Sequence, residues 1–493
     1  MANIVRTPIE IPVRARSEPP GYSRPMRPRS LNPPLPSRPS WWLEEAQAHR
    51  PEAAAPPLAG PLEVDVVVVG GGYTGLWTAL ALRERDPSLR VALLEARAVG
   101  EGPSGRNGGF LHGYWSSLAT LRDVLGDGAA LQLAHASSGI VPAVREFLEQ
   151  RGEDAWLREG GLLKVATTEP EDAAVERSLR AARELGVEEE AAAVEPRRRV
   201  DSPPFRRGVL FRDGATVQPA RLAFSLKRAV RDSGVQIFEH TPVTAVHPGR
   251  LETPAGTVRA PELVLALNAW STGWPLGRRQ TTFGSAVVLT EPVQELLEQI
   301  GWTGGEAVTD GRMFLHYFRT TPDGRVLMGS GSGRLEPGGR VGAGVLDDLP
   351  AQSRAHEGLR QLLPALADVR IDARWSGPID VSADRLPRFG TVPGTRIHYG
   401  AGYSGNGVGP SWLGGRILAS LALGTRDEWT ALPLVERRAR RLPPEPFRYV
   451  GGRVVRWGTL ASEEAVGAGR QPSAAARAAA AIPRLLRLPI GVR

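Results

Sequence analysis

Cysteine is absent from the 493 residues. That absence excludes disulfides, thiolate metal centres, a cysteine nucleophile and covalent cofactor attachment through sulfur. Lysine is almost absent as well: Lys164 and Lys227 stand against 59 arginines. Arginine is therefore the cation available to any binding site, and the Arg, Ala, Gly and Pro bias matches a high-GC coding composition. The N-terminus alternates Pro and Arg and lacks the apolar stretch of a signal peptide. The most membrane-like run, Val64 to Leu82, is interrupted by a glycine triplet and fits strand, turn and helix better than a span. No Ser-His-Asp or metal-ligand spacing stands out, so no metal site is expected. A soluble cytoplasmic protein is the expectation.

A formal charge of +8 invites a nucleic-acid reading, which the charge distribution rejects. Residues 1–40 carry seven Arg and two Glu, and residues 453–493 carry the same, leaving the body at −2. The positive charge lies in the two tails and not on a folded face. The length exceeds what one core usually organises, so at least two domains are expected.

The strongest local signal runs from Val64 through Gly70-Gly71-Gly72-Tyr73-Thr74-Gly75 to Val91-Ala92-Leu93-Leu94-Glu95. An apolar strand, a G-x-G-x-x-G turn, a helix and a second apolar strand ending in an acid follow in order. This is the βαβ unit that binds an ADP moiety. Gly70 permits the tight turn, Gly72 the approach of a pyrophosphate, and Gly75 close helix–strand packing. Tyr73 and Thr74 open the helix whose amides point at the phosphates. Glu95, with Ala96 and Arg97 beside it, lies where a carboxylate accepts from ribose hydroxyls and repels a 2′-phosphate.

The rest of the chain alternates between two kinds of segment. Residues 1–39 read as a disordered Pro/Arg-rich arm. Residues 40–61 form a short helix, capped by Ser40 and opened by Trp41-Trp42, and a linker. Residues 62–115 begin a Rossmann-like dinucleotide-binding domain. Residues 116–204 form a helical part of a second domain, with a helical stretch at 129–151, a strand at 161–167 and a helix at 169–185. Residues 205–279 return to the first domain through a predicted hairpin about Arg212-Asp213-Gly214, a helix at 219–233 and strands at 235–240, 241–246 and 263–267. Residues 280–370 read as an antiparallel substrate-binding sheet, residues 371–450 as the last part of the first domain, and residues 451–493 as a basic tail. The fold class is α/β, α+β overall, with the two domains interleaved.

Four segments together resemble the FAD-dependent oxidoreductases of the D-amino-acid oxidase and glycine oxidase superfamily: the βαβ unit, the loop Ser104-Gly105-Arg106-Asn107-Gly108-Gly109-Phe110, the strand entering Asn268-Ala269-Trp270, and Gly402-Tyr403-Ser404-Gly405-Asn406-Gly407. The S-G-R-N-G-G loop is similar to the branch that holds γ-glutamylputrescine oxidases and aminophosphonate oxidoreductases. The resemblance implies FAD, with Ser104–Gly109 at the isoalloxazine ring. It places Val243 at adenine, and Asn268 and Ala269 at the cofactor. It places Gly402, Gly405, Asn406 and Gly407 before a helix whose positive end faces the flavin pyrimidine. Arg106 stands where histidyl-linked relatives carry His, so the FAD is expected to be non-covalent. Neither lysine falls in a segment like the one that activates oxygen beside flavin N5 in some relatives, so the electron acceptor is dioxygen or another oxidant.

The implied chemistry is oxidation of a C–N bond of a small amine, with hydride transfer to the flavin and hydrolysis of the imine. Residues 313–319 alternate as a strand, so Leu315, Tyr317 and Arg319 share one face. Tyr317 and Arg319, with Arg106 and His112, are the candidate substrate residues, and Arg319 or Arg106 the cation for an anionic amine. Arg385 reads as a structural turn residue. An FAD-dependent 2-hydroxy-acid oxidase and a non-catalytic flavoprotein are the alternatives.

Overall fold

The computed structural model describes residues 25–28, 39–438 and 441–486. Most of the expected N-terminal arm lies outside them. Within it, Met26 is buried and pairs with Val246 through two backbone hydrogen bonds, so this piece of the arm belongs to the body. Its side chain joins an apolar cluster with Val67, Leu94 and Leu251, which is what holds it down.

Val66–Val69, Val91–Leu94, Gln236–Phe238 and Glu262–Leu265 form the parallel centre of a six-stranded sheet, extended by Ile397–Ala401 and closed by antiparallel Arg388–Thr391. The valine run has no polar face because the sheet is covered on both sides. Val66 and Val68 pack with Leu76, Leu93 and Ile417, whereas Val67 and Val69 pack with Leu251 and Val258 of a smaller four-stranded sheet. The helices Tyr73–Arg85 and Pro410–Leu423 touch closely on the first side. A Cβ added at Gly415 would sit 2.5 Å from that of Trp77.

The second domain is an eight-stranded sheet in the order Ile371–Ser382, Gln280–Thr290, Val326–Ser330, His316–Thr320, Ala307–Thr309, Leu162–Ala166, Arg207–Phe211, Ala191–Val194. All its pairs are antiparallel except that of Ala307–Thr309 with Leu162–Ala166. The two domains are interleaved as expected, but their boundaries move. Ile371–Ser382 pairs along its length with Gln280–Thr290 and so belongs to the substrate sheet. Arg207–Phe211 belongs there too, between two of its strands.

The predicted hairpin at 205–217 does not form. Gly214–Thr216 pairs instead with Phe110–His112. The turn bends the chain as its residues require, but the two strands leave for different sheets. The helical stretch at 129–151 is broken into Asp127–Ser137 and Ile140–Arg151, and of the strand expected at 241–246 only Ala245–His247 is paired.

The expected basic tail is a helical hairpin through Leu485, made of Phe447–Gly467 and Ala474–Leu485. Small residues let the two helices meet: a Cβ at Gly458 would lie 2.5 Å from that of Ala479. Ser473 caps the second helix by accepting from Ala476 N–H. The hairpin is tied to the substrate domain, since Glu463 accepts from Met313 N–H at 2.6 Å and Arg456 donates to the carbonyls of Ser332 and Gly333.

Candidate active site

A groove of about 390 Å³ runs over the carboxyl ends of the parallel strands. Gly70 turns there with φ +111°, and a Cβ would collide with Ala266 O at 2.4 Å. Gly75 lies under the turn and outside the groove, where a Cβ would meet Gly70 O at 1.9 Å, so close helix packing is its work. Gly72, Tyr73, Thr74, Glu95, Ala96, Arg97, Ser104, Val243 and Asn268 all line the groove. The Glu95 carboxylate accepts from Gly71 N–H at 2.7 Å and from Arg97 N–H at 3.0 Å, which fixes it at the strand end. Burial raises its pKa above the ordinary value while those amides oppose the rise. Ala269 is fully buried beside the groove and bonds inward, with its N–H on Asn268 Oδ1.

Unpaired polar atoms show that the groove fits a dinucleotide. Trp270 Nε1 is buried at its wall without a hydrogen-bond partner, and Arg97 Nη2 has no hydrogen bond but an ion pair with Glu101 Oε1 at 3.6 Å. Buried donors without partners are costly, and phosphate or ribose oxygens would satisfy them.

The loop after the second strand is built from within. Asn107 Nδ2 donates to Pro103 O and Ser104 O while its Oδ1 accepts from Gly109 N–H at 2.7 Å. Asn107 is thus the pin of the loop. Ser104 Oγ caps the first helix by accepting from Tyr73 N–H. The helix Trp41–His49 clamps the loop from outside, since Ser40 Oγ donates to Gly105 O and Trp42 Nε1 to Asn107 O. Trp375 Nε1 adds a bond to Arg106 O. Gly105 faces Leu43 of that helix and Gly109 faces Val217 and Arg319, whereas Gly108 opens on a second cavity.

That second cavity, of about 500 Å³, adjoins the groove. Arg106, Asn107, Ile379, Tyr403, Gly405 and Val408 border both. A dinucleotide lying in the groove would present its far end along this shared wall. Gly407 borders the groove and Asn406 the chamber, while Gly402 turns behind them at φ +91° and donates its N–H to buried Asp380. Burial pushes Asp380 up to about 6. Asn406 Oδ1 is a further buried atom without a partner.

Three of the four predicted substrate residues line the chamber. Tyr317 hydrogen-bonds Ser285 Oγ at 2.8 Å and stands edge-on to Phe110, and burial pushes its pKa to about 12. His112 is held below its ordinary pKa by burial, and its Nδ1 lies 2.9 Å from Gly113 O. A neutral ring bonded to a carbonyl carries its proton on Nδ1, which leaves Nε2 as the acceptor. Arg106 is buried, and its guanidinium donates to Glu101 O and Ser376 O.

Arg319 is not at the chamber. The strand expected over 313–319 begins only at His316, so Leu315 stands outside it; Arg319 shares the face of Tyr317, but two residues along a strand advance roughly 6.6 Å. It arrives beneath the loop, fully buried, donating to the carbonyls of Gly109, Val217 and Thr320 and lying 5.5 Å from the Trp42 ring. It is a structural cation.

Two chamber residues were missed. Lys164, in the Leu162–Ala166 strand, lines the wall. Lys227 is remote and bonded to Glu239. The more telling residue is Arg385. It lines the chamber in the left-handed region at φ 63°. Among the described residues its guanidinium takes part in no hydrogen bond or ion pair, because the adjacent Asp384 is held at 2.7 Å by both Nη atoms of Arg437. Burial pulls its pKa down to about 10. A strained backbone and an uncompensated cation in one cavity make Arg385 a candidate binding residue.

The groove, the clamped glycine loop and the adjoining chamber are those of a flavin-dependent oxidoreductase, and the FAD dependent oxidoreductase family matches residues 65–421; the chain belongs to it. Gamma-glutamylputrescine oxidoreductase of Escherichia coli strain K12 is 32% identical over 80% of this chain and 89% of its own length. Glycine oxidase of Geobacillus kaustophilus is 29% identical over 72% of this chain and 92% of that protein. The crystal structure of glycine oxidase from Geobacillus kaustophilus superimposes with a TM-score of 0.61 at 24% sequence identity over 76% of this chain and 99% of that one. The expected cofactor, FAD, and the enzyme class follow from family membership.

Proposed function

We propose that the protein oxidises the C–N bond of a small anionic amine, with non-covalently bound FAD as hydride acceptor. The observation that carries this reading is Arg385, a cation unpaired among the described residues, in a chamber whose wall is shared with the dinucleotide groove. The names of the relatives, a glutamylated diamine in one and glycine in the other, agree with an amine. Bound FAD would accept the hydride of the amine α-carbon.

The chain's own groups do the rest. Arg385 holds the anion. Neutral His112 would take the ammonium proton at Nε2, so that the amine presents a lone pair. Tyr317, donating or accepting at Oη, orients the nitrogen. The helix Pro410–Leu423 directs its N-terminus at the shared wall, where negative charge would grow on reduction. With no cysteine in the chain and arginine at position 106, no residue expected to link the flavin stands in the loop.

Product analysis tests the proposal. Turnover of an anionic primary amine should release ammonia and a carbonyl compound in equal amounts. A hydroxy acid giving the carbonyl compound faster, without ammonia, would replace it with the hydroxy-acid reading.

A further inference from the structure

The family model ends at residue 421, yet part of the chamber wall comes from beyond it. Gly451, Gly452 and Val455 of the first hairpin helix line the cavity, as do Ile482, Pro483 and Leu486 at the end of the second. Met313, Phe314 and Leu335 line it from the substrate domain. Two hairpin arginines also border it, each bonded to the protein through two of its three guanidinium nitrogens. Arg448 donates to Glu445 Oε1 at 2.8 Å and to Gln280 O at 3.2 Å. Arg456 donates to the carbonyls of Ser332 and Gly333. The other hairpin side chains at the cavity, Val455, Ile482, Pro483 and Leu486, are apolar.

From this we infer that the C-terminal hairpin is a specificity element that selects amines bearing an apolar substituent of several carbons. The inference rests on the anionic-amine reading for the head group, held at Arg385, and adds a tail subsite under 447–486. A chamber of about 500 Å³ is larger than a two-carbon amine needs. The hairpin supplies the walls that desolvate the remainder of a longer one. Gly451 is the position that leaves this subsite open, since a Cβ there would meet nothing within 4 Å.

Straight-chain carboxylates test the subsite without turnover, through their perturbation of the bound flavin's absorbance in the holoenzyme. Hexanoate should bind at least tenfold more tightly than acetate, because each fully buried methylene is worth about fourfold. Hexanedioate should bind more weakly than hexanoate. Gly451→Phe should cost hexanoate tenfold or more and leave acetate unchanged, with flavin content intact. Ile482→Ala, which widens the same subsite, should weaken hexanoate by a smaller factor and serves if the first variant fails to fold. Equal affinities for acetate and hexanoate, tighter binding of hexanedioate, or equal losses for both acids in the variants would overturn the tail subsite. Acetate binding that is indifferent to Arg385→Met would instead overturn the head-group reading, leaving the chain-length comparison to be judged separately.

Discussion

Arg385→Met should weaken the binding of an anionic amine and stabilise the fold at the same time. Its side chain is half-buried, has no partner among the described residues, and has its pKa drawn from 12.5 to about 10 by desolvation alone. A shift of that size corresponds to a cost on the order of 3 kcal/mol for keeping the cation in the chamber, less whatever chamber water screens. Methionine has similar reach and no charge, so the variant sheds that cost and retains the packing of the stem. The left-handed backbone at φ 63° remains in both proteins and drops out of the comparison.

A charge-assisted hydrogen bond to a substrate anion is worth about 1.5–3 kcal/mol, or roughly ten- to a hundredfold in affinity. The expected pattern is a KM ten- to a hundredfold higher for an anionic amine, little change for its neutral amide, and a melting temperature a few degrees higher in the substrate-free enzyme. Steady-state kinetics with the matched pair and a thermal melt read all three. A lower melting temperature together with equal KM changes for both substrates would show that Arg385 is a structural turn residue after all.

The other expectations concern the cofactor, the loop and the hairpin. Acid precipitation should release FAD into the supernatant, and flavin retained in the pellet would refute non-covalent binding. Glu95→Ala should weaken FAD binding to the apoprotein by about ten- to a hundredfold, the worth of a charge-assisted bond, and an unchanged affinity would misplace the ribose. Arg319→Met should lower the melting temperature while leaving the anionic-to-neutral KM ratio alone, because its partners are carbonyls and not substrate. Glu463 has its pKa raised from 4.5 to about 7 by burial, with Asp310 adding to the rise. A carboxyl with a raised folded pKa costs stability once ionised, so stability falls as pH climbs from 4.5 through about 7. Glu463→Gln keeps an acceptor for Met313 N–H, so its melt should match wild type near pH 5 and exceed it near pH 8; parallel pH profiles would contradict this.

The cofactor half of the site was legible because its signals are local. The spacing of Gly70, Gly72, Gly75 and Glu95 specifies strand, turn, helix and acid within one stretch, and only packing detail, such as Asn107 bonding its own loop, waited for the structure. The substrate half depends on which charges meet. Alternation correctly put Arg319 on the face of Tyr317, but could not show that strand rise carries it past the chamber. Nothing around Arg385 announces that Arg437, fifty-two residues later, occupies Asp384 and leaves Arg385 alone.

The misassigned strands share one cause. A turn such as Arg212-Asp213-Gly214 reports a local bend and not the sheet each arm joins. The hairpin was hidden by its composition. Its helix contacts are made by Gly458, Ala476 and Ala479, too small to register as an apolar stripe, and its arginines read as tail charge.

Anaerobic mixing of the holoenzyme with three matched compounds tests the central claim most directly: an anionic primary amine with a short alkyl chain, its neutral amide, and the hydroxy acid of the same skeleton. The account predicts that flavin absorbance near the visible maximum bleaches fastest with the anionic amine, more slowly with the amide, and slowest with the hydroxy acid. Bleaching fastest with the hydroxy acid, or with none of the three while FAD is fully bound, would contradict it.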